Sequence, residues 1–174
     1  MNYAQIAAGI GGAKNREIDP ALAPLRLTNV DSADATISFT GNATLKYRTS
    51  VEDDFEDWDK SAVTLHTDEY MEIVGENTTL NDILGKFSMT GKIAASGSVM
   101  TLIYGDDITI EEAMVVPFSL AFGTNYNGLF YGCTSLTTAP ALPATTLANS
   151  CYSYMFNGCT SLTTAPELPA TTLA

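Results

Sequence analysis

The sequence predicts a mainly β protein, a β-sandwich followed by a solenoid of stacked 26-residue coils. Three observations predict it. Short runs of alternating apolar and polar residues recur at roughly 8–12-residue spacing up to about residue 105. A 26-residue internal repeat fills the C-terminal part. Charge changes abruptly between the two: from Gly123 to Ala174, Glu167 is the only residue among Asp, Glu, Lys and Arg, and everything before it holds the other 19 of the 20 acids and all 8 bases. Such a shift places a boundary near 105–125, within a chain of 174 residues.

Residues 1–24 read as an N-terminal anchor or linker segment. A helical stripe of Tyr3, Ile6, Ala7 and Ile10 would end at Gly11-Gly12, and Pro20 and Pro24 mark extended chain. Full burial of three such side chains supplies only a few kcal/mol at about 25 cal/mol per Å². Ordering the backbone costs roughly 1–2 kcal/mol per residue. The segment is therefore expected to order only on a partner, with Tyr3, Ile6 and Ile10 as its docking contacts. No basic stretch precedes the thin apolar run and no Cys lies near the start, so neither a secretory signal nor a lipoprotein anchor is expected.

Residues 25–105 read as the β domain. Strands are expected at 25–30, 35–39, 45–48, 62–66, 70–74, 87–93 and 99–104, separated by turn residues such as Asp31-Ser32, Gly41-Asn42, Gly75-Glu76-Asn77 and Ser96-Gly97. Seven short strands at this spacing argue an immunoglobulin-like sandwich, and a flatter β-meander capping the repeats is the alternative. In the connecting segment 106–125, a short helix within 108–120 is expected to open at Asp106-Asp107 and end at Pro117.

The repeats occupy 126–174. Gly132 through Ala148 recurs as Gly158 through Ala174, and among those 17 positions only Ala141 against Glu167 differs. Such fidelity means that both copies meet the same surroundings, as stacked coils do. Leu136, Leu142, Leu147, Cys151, Met155 and Phe156 are expected to point inward, with Pro140 and Pro143 forcing turns. Since about three repeats are needed for a stable solenoid, the natural chain is expected to continue with further coils.

The unit Met155-Phe156-Asn157-Gly158-Cys159-Thr160-Ser161-Leu162, followed by Thr163-Thr164-Ala165-Pro166-Glu167-Leu168-Pro169, resembles the BspA-type leucine-rich repeats of Bacteroidetes. The upstream region, with Leu45-Lys46-Tyr47-Arg48 and then Trp58, resembles the Ig-like modules that often precede such arrays. The resemblance implies a leucine-rich-repeat solenoid and a surface, secreted or phage-borne attachment protein.

Chemistry-bearing patterns are few. The acidic run Glu52–Asp59 could offer oxygen ligands to Ca²⁺, but it lacks EF-hand spacing and reads better as a solvated turn with Phe55 or Trp58 reaching the core. His66, the single histidine, has no nucleophile context. Cys133, Cys151 and Cys159 fit no zinc spacing, and the equivalence of Cys133 and Cys159 suggests a buried thiol ladder. Asn42-Ala43-Thr44 and Asn77-Thr78-Thr79 match glycosylation acceptors. No residue is assigned to catalysis, a cofactor or a metal. A net charge of −12 argues against nucleic-acid binding, and the apolar runs are too short for membrane insertion.

The expectation is a non-enzymatic structural or attachment protein: a phage virion fibre or spike component, docked by its N-terminus with repeats outward, and homo-oligomeric. Its partners would be virion proteins, or a host or bacterial surface protein or glycan. The alternative is a bacterial cell-surface or secreted BspA-type adhesin.

Overall fold

Where apolar and polar residues alternate without interruption, the chain forms strands with one buried face. The computed structural model describes residues 19–77, 85–116, 128–148 and 150–173. In chain order the strands are β1 (Leu25–Asn29), β2 (Ala35–Gly41), β3 (Leu45–Thr49), β4 (Glu56–Asp57), β5 (Val63–Leu65), β6 (Tyr70–Gly75), β7 (Gly85–Met89) and β8 (Ile93–Ser96). Two helical turns follow, α1 (Thr101–Tyr104) and α2 (Ile110–Ala113), and then β9 (Leu136–Thr138), β10 (Thr146–Leu147) and β11 (Thr172–Leu173). The protein is mainly β.

Two sheets share one core. The larger has the order β4-β3-β6-β1-β8-β9 and the smaller β5-β2-β7. All pairs in them are antiparallel except β8 with β9, so the larger sheet is mixed and neither closes into a barrel. Register follows the pleat. Leu25 lies opposite Ile73 and Leu27 opposite Met71, which puts all four on the same buried face. From the smaller sheet Ile37, Phe39, Leu65 and Phe87 complete the interior. Fully burying one such side chain contributes about 1.5–3 kcal/mol.

The acidic run is a solvated turn. Glu52, Asp53 and Asp54 are exposed, while Trp58 turns inward and its Nε1 donates to the Ser61 carbonyl at 3.0 Å. Trp58 lies 6.4 Å from Phe39 and 6.5 Å from Phe87, ring centre to ring centre. The run also holds β4, whose brief pairing with β3 has no signal in the sequence because both its residues are acidic and exposed.

Three expected elements differ. The strand expected over 87–93 is two strands, split where Gly91 takes φ +74°. The chain reverses there and crosses from the smaller sheet, through β7, to the larger, through β8. The strand expected over 99–104 is instead α1. The Thr101 hydroxyl donates to the Ser98 carbonyl at 2.8 Å and accepts from the Leu25 amide at 3.1 Å, which ties the helical turn to β1. The helix expected from Asp106-Asp107 is the shorter α2, opened by Thr109. The Thr109 hydroxyl accepts from the Glu112 amide, and the Glu112 carboxylate accepts from the Thr109 amide at 2.9 Å, a reciprocal capping box. Pro117 lies outside the described residues.

Residues 19–24, grouped by sequence with the N-terminal segment, pack into the β module. The Asp19 carboxylate accepts from the Ala21 amide, and Ala21, Leu22 and Pro24 are buried. Gly97 closes this corner: its φ is +70°, and a Cβ there would sit 1.9 Å from the Pro24 carbonyl oxygen. Asn77 is fully buried. Its amide group donates to the Thr44 and Leu102 carbonyls at 2.9 and 2.7 Å, so it is structural and unavailable to a glycosyltransferase in the folded chain.

The two repeats, repeat 1 (128–148) and repeat 2 (150–173), form one parallel stack on this module. β10 pairs with β11 through Thr146 with Thr172 and Leu147 with Leu173, a register of one repeat. Below them, Val115 bridges Thr146 in the same parallel sense. The Met114 carbonyl accepts from Thr145 and Thr146 just as the Thr145 carbonyl accepts from Thr171 and Thr172. β9 extends the larger sheet, with Leu136 against Ile93. Of the positions expected to point inward, Leu136, Leu142, Leu147, Cys151 and Met155 are buried and Phe156 is half-buried.

Candidate functional site

Strand β7 is where the β module meets the repeats. Its Phe87 amide donates to the Leu129 carbonyl at 2.9 Å, as the Phe130 amide donates to the Met155 carbonyl at 3.0 Å. The rings follow the backbone. Phe87 and Phe130 stack at 5.3 Å and 19°, and Phe130 and Phe156 at 5.6 Å and 5°. Phe87 thus stands where an earlier repeat would place its phenylalanine. Gly128 and Gly132 also donate across the stack, to Ser153 and Asn157, so every second residue from 128 to 132 joins repeat 1 to repeat 2. Gly158 is needed for this approach: its φ is +79°, and a Cβ would lie 3.3 Å from the Gly132 Cα.

The thiols occupy the interior of the same stack. Cys133 Sγ donates to the Phe87 carbonyl at 3.3 Å and Cys159 Sγ to the Phe130 carbonyl at 3.0 Å. Burial pushes the Cys133 thiol up to about 12 and the Cys151 thiol up to about 11, and it raises Cys159 as well. All three are free and buried. Under native conditions at pH 8 each should react with iodoacetamide at least about 100-fold more slowly than in denaturant, as thiol counting by mass spectrometry would read. Rapid native labelling of Cys133 and Cys159 would show that the repeats are packed inside out.

On the outside of this junction lies a shallow groove of about 490 Å³, lined by Gly85, Lys86, Gly128, Tyr131 and Tyr154. Tyr131 is 48% and Tyr154 66% exposed, and the Lys86 ammonium stands 5.8 Å from the centre of the Tyr131 ring. The hydrogen-bond register makes Gly85, Gly128 and Tyr154 equivalent in successive layers, so two glycines form a floor beside a projecting ring. Two apolar ring faces, phenol hydroxyls and one ammonium can hold a ligand by contact and hydrogen bonding. Sequence reasoning did not select these residues. The signal was available: Gly128 against Tyr154 and Tyr131 against Asn157 are positions at which the two repeats differ.

Elsewhere among the described residues the charged groups are paired or solvated. Glu72, buried on the outer face of the larger sheet, accepts from Arg26 Nε at 2.9 Å and from Arg48 Nε at 2.7 Å. Arg26 lies 4.0 Å over the Tyr70 ring and Arg48 4.6 Å over Phe55. His66 is exposed and its Nδ1 lies 2.9 Å from Asp34. The hydrogen bond that the protonated ring donates to the Asp34 carboxylate, aided by the charges of Asp34 and Glu69, raises the His66 pKa above 6.5. A raised folded value stabilises the fold below the unfolded pKa, and that contribution is lost as pH rises through the folded value. An NMR titration should find the His66 pKa above 6.5 and Asp34→Asn should lower it; an unchanged value would show that Asp34 is not its partner.

Among the described residues no cluster of three or more His, Cys, Asp or Glu is placed to hold a metal ion, and no helix is long and apolar enough to cross a membrane. Tyr3, Ile6 and Ile10 lie outside the described residues. Comparison with known protein families, with curated proteins and with solved structures yields no match.

Proposed function

We propose that this chain is a non-enzymatic structural and attachment protein, a phage virion fibre or spike component. In this reading an Ig-like β module carries BspA-type leucine-rich repeats outward, and the N-terminal residues dock on the particle. The observation that carries it is the parallel register of one repeat between β10 and β11, continued downward to Val115 and Met114. A stack seated on a packed sandwich is a stiff mount, and it displays the Tyr131–Tyr154 groove at a fixed angle. The pairs β2 with β5, β3 with β6 and β3 with β4 support an Ig-like arrangement, with β1 lying between β6 and β8 as its own variation. The groove would take a host or bacterial surface protein or glycan, and copies of the chain would assemble around a fibre axis.

The test is incorporation into particles. Residues 1–18 are deleted rather than 1–24, because Ala21, Leu22 and Pro24 belong to the core. The truncated chain should keep its circular dichroism and melting temperature and be lost from purified virions. Normal incorporation would remove the docking role of Tyr3, Ile6 and Ile10. Recovery of the full chain from a bacterial surface fraction, and never from particles, would replace the virion reading with that of a surface adhesin.

A further inference from the structure

The two repeats are nearly identical in sequence but not in what covers them. Leu142 is 5% exposed and its equivalent Leu168 is 56% exposed. Leu136 and Phe130 are fully buried, whereas Leu162 and Phe156 are half-buried. The backbone makes the same distinction. The amides of Gly128, Phe130 and Gly132 donate to the carbonyls of Ser153, Met155 and Asn157. The equivalent amides of Tyr154, Phe156 and Gly158 meet no acceptor among the described residues. Three donors at two-residue spacing, beside an uncovered phenylalanine ring and an uncovered leucine, are a ready template for another chain.

We infer that the outer face of repeat 2 is a docking surface for one further polypeptide coil of the same repeat sequence, laid in parallel register. The occupant follows from continuity with the interface below it. Repeat 1 presents this face and repeat 2 fills it; repeat 2 presents the face again, with Tyr154, Met155 and Asn157 in place of Gly128, Leu129 and Tyr131, Phe156 in place of Phe130, and one difference in the 17 positions from Gly158 to Ala174. A coil of this kind supplies what the face lacks: carbonyls spaced as Ser153, Met155 and Asn157, a ring to stack on Phe156, and a thiol donor for the Phe156 carbonyl, as Cys159 serves Phe130. Two chains meeting face to face about a dyad would set the amides of 154, 156 and 158 against the same donors. That arrangement leaves all of them unpaired. The inference rests on the stack alone and stands whether or not the virion reading does.

Amide hydrogen exchange on the full chain reads this face. Gly128, Phe130 and Gly132 should exchange about 100-fold more slowly than Tyr154, Phe156 and Gly158. In a chain extended by a second copy of residues 149–174, the amides of 154, 156 and 158 should slow by a comparable factor. An extension of the same composition in scrambled order should leave them fast. Fast exchange at all three in the repeat-extended chain overturns the proposal. So does slow exchange in the unextended chain together with a dimeric mass in sedimentation, because a second copy would then cover the face.

Discussion

Phe130→Ala should destabilise the protein by about 3–5 kcal/mol, the range for emptying a packed aromatic site. Phe130 is fully buried and stacks on Phe87 below and Phe156 above, so its loss leaves a void between the β module and repeat 2. It also removes two stacked pairs, each contributing about 0.5–1.5 kcal/mol beyond its buried area. Phe156→Ala is the internal comparison. The same residue type, stacked on one side and half-buried, should cost only about 1–2 kcal/mol. Urea denaturation of both variants measures the difference. Equal losses would mean that Phe130 is not held between two layers.

Glu72→Gln should cost about 3 kcal/mol, toward the lower end of what removing one member of a buried ion network costs. The carboxylate is shared by two guanidinium groups, and its side chain is 3% exposed. Neutralising it leaves two cations side by side on one sheet face. Arg26 keeps 40% of its exposure and can rehydrate, which holds the loss below the extreme, whereas Arg48 at 24% has less recourse. Replacing all three by apolar residues, as Arg26→Met, Glu72→Leu and Arg48→Met together, should restore most of the stability. Chemical denaturation of the single and triple variants separates a charge effect from a packing effect. If the triple variant is weaker than Glu72→Gln, the cations' stems and their contacts with Tyr70 and Phe55 matter more than the charges.

The strands were legible where alternation was strict. β1, β2, β3 and β5 fall where the pattern places them, because one buried face needs a period of two, and β6 falls where expected as a short apolar run buried on both faces. The misread elements share a cause. Val99-Met100-Thr101-Leu102-Ile103 is buried on every side, so it carries no periodicity to distinguish strand from helical turn. Gly91 did mark the reversal between β7 and β8, but a glycine inside an apolar run also fits an unbroken strand. The repeat and its inward positions were legible from self-similarity. Two things were not. β9 joins a sheet whose nearest strand, β8, is some 40 residues earlier, and Phe87 stands in for a repeat residue with no repeat motif around it. Both are pairings between distant segments, and no local pattern records them. The groove residues are silent for a different reason: self-similarity marks what the repeats share, whereas Tyr131 and Tyr154 lie where they diverge.

The use of β7 and Met114 as the foundation of the stack gives the molecule an order of assembly. Repeat 1 finds its backbone partners on segments that precede it in the chain, and repeat 2 finds its own on repeat 1. A ribosome therefore releases each template before the segment that needs it. The β module can close while the repeats are still in the exit tunnel, and each coil, on emerging, meets a finished edge and can zip onto it in seconds or less. Coils dependent on a later segment would have to wait with phenylalanine, leucine and cysteine exposed. By building from its N-terminal side, this chain keeps its least charged region in the open for the shortest time.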